Sequence, residues 1–236
     1  LFYCMCLKAN KYKYNYGRQA NKSLREIKIP SIEEIPKWVD QIKIPEDIKE
    51  ESILKEQLSF EVSNWKPFRY DKIFDIKKGY YNKKPPVSDT KEISFIGATD
   101  KNNGITSHHF LKDIQNYNRN GEKDNSDEER TFPENCVTIS NNGSVGYAFY
   151  QYKEFTCSHD INPVYLKDRK MNVFIAMFLC TLVSLERYRW NYGRKWRPKR
   201  MPYSIIKLPV DKNGNPDWGF MENYIKSLPY SKALEN

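Results

Sequence analysis

A mixed α/β fold is what this sequence predicts: a twisted mixed β-sheet with packed helices, flanked by helical connector segments. Three observations predict it. Short runs rich in β-branched and aromatic residues recur through the second half of the chain. An apolar stretch of helix length follows them. A motif near the N-terminus returns near the C-terminus, so the chain is organised as two related units.

The runs at residues 93–98, Cys136–Ser140, 145–151 and 164–167 have strand length and strand composition. Asn141, Asn142, Gly143 and Ser144 between two of them are turn residues and predict a hairpin. A helix is expected from Asn172 to about Tyr188, with Phe174, Met177, Phe178, Leu182 and Leu185 facing inward. Residues 112–131 are polar, rich in Asn and mixed charge, and predict a mobile loop. Aromatics make up 14% of the chain, too many large rings for a disordered polymer, so a packed core is expected.

The repeat sets the domain expectations. Lys11, Tyr12, Lys13, Tyr14, Asn15, Tyr16, Gly17 and Arg18 match Arg187, Tyr188, Arg189, Trp190, Asn191, Tyr192, Gly193 and Arg194. Downstream, Ile27, Lys28, Ile29 and Pro30 match Ile206, Lys207, Leu208 and Pro209. Pro36 and Trp38 then match Pro216 and Trp218. The spacing is far longer than a solenoid unit of roughly 20–50 residues. Residues 1–30 are therefore expected to close a first unit. Residues 31–64 connect, 65–210 form a second unit, and 211–236 repeat the start of the connector. Ile48, Leu54 and Leu58 predict an amphipathic helix in the connector, beginning after Pro45. The non-Met start at Leu1 reads as a longer chain cut within a helix, without the features of a signal peptide.

The formal charge is +9, from 39 Lys and Arg against 30 Asp and Glu. An excess of this sign favours a polyanionic partner. Five cysteines without framework or metal-ligand spacing read as reduced thiols of an intracellular, cytoplasmic protein, and no membrane span is expected.

Catalytic readings fail on geometry. His108 and His109 are adjacent and lack a carboxylate at ligand spacing. Ser158, His159 and Asp160 contain the residue types of a triad, but neighbours in sequence cannot stack into a relay. Asn162, Pro163, Val164 and Tyr165 are similar to an amino-methyltransferase loop but lack its second proline, and a strand entry explains them better. Gly143 to Gly146 lacks the lysine of a phosphate loop.

Three clusters suit nucleic acid instead. The densest runs from Arg187 to Arg200 and includes Arg194, Lys195 and Arg197, interleaved with Trp190, Tyr192 and Trp196; core or cover is the alternative for the rings. The second is the loop Lys77, Lys78, Gly79, Tyr80, Tyr81, Asn82, Lys83 and Lys84, with a solvated charge run as the alternative. The third joins Lys101 and Asn102 to Asn141 and Asn142. Asn can pair with adenine, though Asn in a turn also serves the backbone.

One ordered set of motifs spans most of the chain. It comprises Trp65, Phe74 to Gly79, Ile96 to Asp100, Asn142 to Gly146, Asn191 to Trp196, Ile206 to Val210 and Asn215 to Trp218. It resembles the target-recognition domains of restriction–modification specificity subunits, both type I and the related BcgI-like type II. The resemblance implies a target-recognition fold flanked by helical conserved regions, and a non-catalytic, sequence-specific DNA-binding subunit. The partners it implies are double-stranded DNA, DNA adenine methyltransferase subunits and a restriction subunit. It implies no cofactor for this chain; S-adenosylmethionine, Mg and ATP would belong to the partner subunits. Two alternatives stay open: the recognition part of a fused type II enzyme whose catalytic domains lie elsewhere, and a basic RNA-binding module.

Overall fold

The structure is a computed structural model. It describes residues 6, 27–39, 51–59, 61–89, 92–124, 126–190 and 194–235. The chain divides into two compact units, Leu1–Lys49 and Glu50–Asn236.

In the first unit the described residues hold a 3-10 helix at Lys37–Val39. Just before it, Ser31 N–H donates to Glu34 Oε2 at 2.9 Å. The motif Lys11 to Arg18 lies outside the described residues, as do Ile48 and Asn191 to Gly193. Of the echoed pairs that are described, Pro36 and Pro216 each stand shortly before a helical element. Residues 27–30 carry no strand, whereas their counterparts form one.

The second unit begins with residues 51–59, which carry no helix, contrary to the expectation for Leu54 and Leu58. Their backbone is spent on the C-terminal segment instead. Leu54 N–H donates to the Lys226 carbonyl, Ile53 N–H to Ser231 Oγ and Leu58 N–H to Ser227 Oγ. Ile53 packs against the main core. Leu54 and Leu58 thus reach the C-terminal segment through their backbones without forming a helix.

Strand β1 (Lys66–Arg69) leads into the one-turn helix α1 (Tyr70–Ile73) and strand β2 (Phe74–Ile76). Strands β3 (Ile93–Ile96) and β4 (Ile105–His109) precede helix α2 (Leu111–Asn116). Strands β5 (Cys136–Ser140), β6 (Ala148–Gln151), β7 (Phe155–Cys157) and β8 (Ile161–Leu166) follow. Helix α3 (Val173–Leu185), strand β9 (Ile205–Leu208) and helix α4 (Trp218–Ser227) complete the unit.

The strands form three sheets, ordered β1-β9, β2-β8-β5-β6 and β4-β3-β7. The first two are antiparallel; the third is mixed, because β3 pairs antiparallel with β4 and parallel with β7. The expected α/β class is therefore observed. The expected hairpin is β5–β6, with Cys136 opposite Gln151 and Ile139 opposite Ala148. All five residues of β5 are buried, so its run lacks the polar alternation of a half-exposed strand. The Asn-Pro segment lies inside β8, where Pro163 faces Thr138.

Helix α3 packs on β5, β6 and α4, and the Phe178 and Tyr224 rings meet edge-on at 5.9 Å. Asn172 caps α3 by accepting from Ile175 N–H at 2.9 Å. Leu185, expected inward, is 68% exposed at the last position of the α-helix, where the 3-10 helix Glu186–Arg189 takes over. Residues 112–131 are not one irregular loop. They start in α2 and end at Arg130, which is 3% exposed.

Candidate nucleic-acid interface

The loop after β2 is laid down by backbone hydrogen bonds. Lys77 N–H donates to the Pro163 carbonyl, and Gly79 N–H to the Ile161 carbonyl at 2.9 Å. A Cβ at Gly79 would stand 1.9 Å from the Ser158 oxygen, so only glycine permits this approach. Tyr81 pairs with Ser158 in a parallel bridge, and the Tyr80 and Tyr81 N–H groups both donate to the Cys157 carbonyl.

The tyrosines that the sequence suggested as DNA contacts are inside. Tyr81 is 0% exposed and its hydroxyl donates to the Ile114 carbonyl at 2.7 Å. Tyr80 donates to Glu128 Oε2 at 2.8 Å, under the Arg119 guanidinium. Burial pushes both phenols upward. These rings fix the loop and offer no face for a base. The exposed members are Lys77, Lys78, Asn82, Lys83 and Lys84. Lys77 pairs with Asp75 at 2.9 Å, and the Asn82 amide donates to Asn120 Oδ1 at 2.9 Å. Lys84 Nζ donates to Thr106 Oγ1 at 2.9 Å above the Phe95 ring, and partial burial lowers its pKa.

The turn at residues 141–144 joins this loop through a chain of amides. Asn141, 5% exposed, donates to Asn162 Oδ1 at 2.8 Å, and Asn162 donates to the Lys77 carbonyl at 2.7 Å. Asn141 is thus another expected contact that the structure spends on architecture. Asn142 donates to Asp160 Oδ1 at 2.9 Å. A Cβ at Gly143, whose φ is +67°, would lie 3.2 Å from the Ala98 methyl, so the loop carrying Lys101 and Asn102 adjoins this turn. Lys101 is exposed; Asn102 is left-handed, with φ 50°, and its amide donates to the Ile105 carbonyl. The loop after β2 and the turn at residues 141–144 thus both meet the turn at residues 158–160, and the loop after β3 adjoins the second of them.

The 187–200 cluster stands on a different platform. Trp190 stacks on Trp196 at 4.9 Å and 7°. Trp196, 1% exposed, donates to Ser204 Oγ at 2.8 Å and meets the Tyr70 ring edge-on. The Arg194 guanidinium lies over Trp190, 5.7 Å from its centroid. Arg194 and Arg197 are exposed and Lys195 is half-buried. Arg187 links this cluster to the connection after β5: it sits 3.5 Å over the Tyr147 ring, beside Gly146.

The reading of the sequence missed two features. Arg130 sits in the polar stretch 112–131 that reads as a mobile loop, with nothing local to mark its burial. The turn at residues 158–160 shows in the sequence as triad residue types; its signal is its position between two strand-like runs.

Among the described residues, no group of three or more His, Cys, Asp or Glu could hold a metal ion. Among them too, no helix is long and apolar enough to cross a membrane. Cys136, Cys157 and Cys180 are free, and burial raises their pKa, Cys136 and Cys180 to about 12, so they are poor nucleophiles.

A family model described as the type I restriction modification DNA specificity domain matches residues 62–236. The chain belongs to this family. A curated relative, the type II restriction enzyme BgcI specificity subunit S.BcgI of Heyndrickxia coagulans, is 28% identical over 227 residues. The match covers 92% of this chain and 61% of the relative, so the chain spans about three fifths of that protein's length. Two solved structures are also similar. The S subunit of a type I restriction-modification system from M. genitalium is 17% identical, with a TM-score of 0.46, over 74% of this chain and 40% of that one. The HsdS subunit from Thermoanaerobacter tengcongensis is 14% identical, with a TM-score of 0.42, over 73% and 39%. The specificity domain described here thus has a mixed α/β body whose loops after β2 and β5 meet the turn before β8.

Proposed function

We propose that this chain is the sequence-reading part of a restriction–modification specificity subunit. In this reading it binds double-stranded DNA and brings adenine methyltransferase subunits, and a restriction subunit with them, to a bipartite target. It performs no chemistry itself; S-adenosylmethionine, Mg and ATP belong to its partners. The observation that carries the reading is the family match over residues 62–236, joined to the exposed lysines Lys77, Lys78, Lys83 and Lys101 on the loops after β2 and β3. The charge of +9 supports it, since cationic side chains displace the counterions condensed on the phosphates. Lys78, Lys83, Arg194, Lys195 and Arg197 position the protein on the backbone, while Asn82 and Asn102 present to base edges the amide atoms that their own hydrogen bonds leave open.

The test is binding of the full chain to a duplex DNA pool as a function of salt. Affinity falls steeply with log salt, and Arg194→Ala weakens binding to all sequences and flattens the slope by roughly 0.9, one phosphate's worth. An unchanged slope removes Arg194 from the contact set. An RNA duplex bound as tightly as DNA overturns the reading.

A further inference from the structure

The turn Ser158, His159 and Asp160 carries two side chains with hydrogen-bond acceptors between the loops after β2 and β5, with no role so far. Its backbone explains the turn itself. Ile161 N–H donates to the Ser158 carbonyl at 3.0 Å, and Asp160 N–H to Ser158 Oγ at 3.3 Å. It does not explain the side chains of His159 and Asp160.

His159 is 53% exposed at its side chain, between the loop after β2 and the turn at residues 141–144. Its Nδ1 lies 3.2 Å from the Tyr81 carbonyl oxygen. A carbonyl only accepts, so Nδ1 carries the hydrogen. In the neutral ring Nε2 is then a lone-pair acceptor. That atom stands 3.4 Å from Asp160 Oδ1. The carboxylate accepts one hydrogen bond, from Asn142 Nδ2 at 2.9 Å, and keeps further lone pairs. With the ring neutral, the turn thus offers Nε2 and a carboxylate oxygen 3.4 Å apart, a pair that one donated hydrogen can bridge.

Charge decides what such a pair can meet. A carboxylate turned toward a phosphate is repelled, and the lysines around this turn would draw phosphates close. The pair suits a neutral donor within the groove. In the major groove the base-edge donors are the exocyclic amino groups, N4 of cytosine and N6 of adenine; guanine O6 and thymine O4 are acceptors and leave both protein atoms unpaired. An unpaired acceptor pair is the more costly error, so it discriminates by exclusion.

We infer that the His159–Asp160 turn is a base-reading element that admits an exocyclic amino group, cytosine N4 or adenine N6, at one position of the DNA target. The inference rests on the proposed DNA-binding role. Gly79 and Asn142 are its positioning residues: one lets the neighbouring loop close onto Ser158, the other holds the carboxylate.

Selection from a random duplex pool with the full chain tests it, comparing wild type with H159Q and D160N. Both substitutions are near in size, and the amide oxygen introduced by D160N still accepts from Asn142. Wild type is expected to yield a logo with one position confined to cytosine or adenine, and the letter found tells which amino group is read. Discrimination at that position falls about ten-fold in D160N, while the other positions and the salt slope stay as they were. H159Q relaxes the same position. Logos identical to wild type in both variants overturn the inference and leave DNA binding standing. A uniform loss across all sequences overturns it too, by assigning the turn to the backbone. A wild-type chain that enriches no sequence sinks the functional reading, and this inference with it.

Discussion

Arg130 takes a positive charge into a small core and compensates it there. Its guanidinium donates to the carbonyls of Gln115 and Tyr117, and to Asp124 Oδ2 at 2.6 Å. Ser126 Oγ lies 2.7 Å from the same nitrogen. Burial of this kind is stable only when nearly every donor is matched, and nothing in the run Glu128, Glu129, Arg130 announces the match. That is why residues 112–131 read as a loop in the sequence. His109 was equally ambiguous as one of two adjacent histidines. It is 0% exposed, with Nδ1 2.6 Å from the Pro86 carbonyl and Nε2 2.9 Å from Ser107 Oγ. Burial holds its pKa below 6.5, partly opposed by the bond to Pro86. The neutral ring costs nothing above that pH. As pH falls below about 6.5 the unfolded chain takes a proton that the folded chain refuses, so stability declines until the folded pKa is reached. Urea unfolding between pH 7.5 and 5 checks this: the wild-type midpoint falls with acidification, and His109→Gln removes most of that slope. A variant with the wild-type slope assigns the loss to other groups.

Elements were legible where one rule governed them. The run of β5 was read to its ends, because five buried residues bounded by turn chemistry admit no other reading. Helix α3 was found by its apolar composition, but its exit was not. The 3-10 turn at Glu186–Arg189 is set by packing around Tyr147 and Trp196, which lie elsewhere in the sequence. The lysine-rich loop was recognised as a loop, but which of its rings face inward depends on α2 and β7, which no local pattern reveals. The start of α3 is the element's weak point. Asn172 caps it and also donates to Glu222 Oε2 at 2.8 Å, tying α3 to α4. Neighbouring Lys226 holds the Glu222 carboxyl below its ordinary range. Asn172→Ala is expected to cost about 1–2 kcal/mol, from the lost cap with a further contribution from the lost tie. Denaturant unfolding measures it. Asn172→Asp keeps the cap but sets a carboxylate beside Glu222, and recovers less than the full difference.

At the scale of the molecule, the repeat in the sequence draws boundaries from echoed motifs. It sets residues 211–236 apart from the second unit because they repeat the start of the connector. In the structure Trp218, Met221 and Ile225 belong to the same core as Val137, Ile139 and Phe178. A chain ended after Val210 would strip that face from α3 and leave residues 51–58 without their hydrogen-bond partners. Such a chain is expected to show no cooperative thermal transition, whereas the full chain shows one; calorimetry decides. A sharp transition in the shortened chain would mean that the C-terminal helix is an accessory.

The path of the backbone through this unit begins and ends on one ribbon. Lys66 is the register partner of Leu208 and Arg69 of Ile205. Outside them, Leu58 meets Ser227 and Glu51 meets Lys232. Tension between the two ends therefore loads the outermost contact first and opens the rest in turn, like a zipper drawn from its pull. Because Ile206 and Leu208 of the ribbon belong to the main core, the opening that starts at the two ends reaches that core only at its last steps.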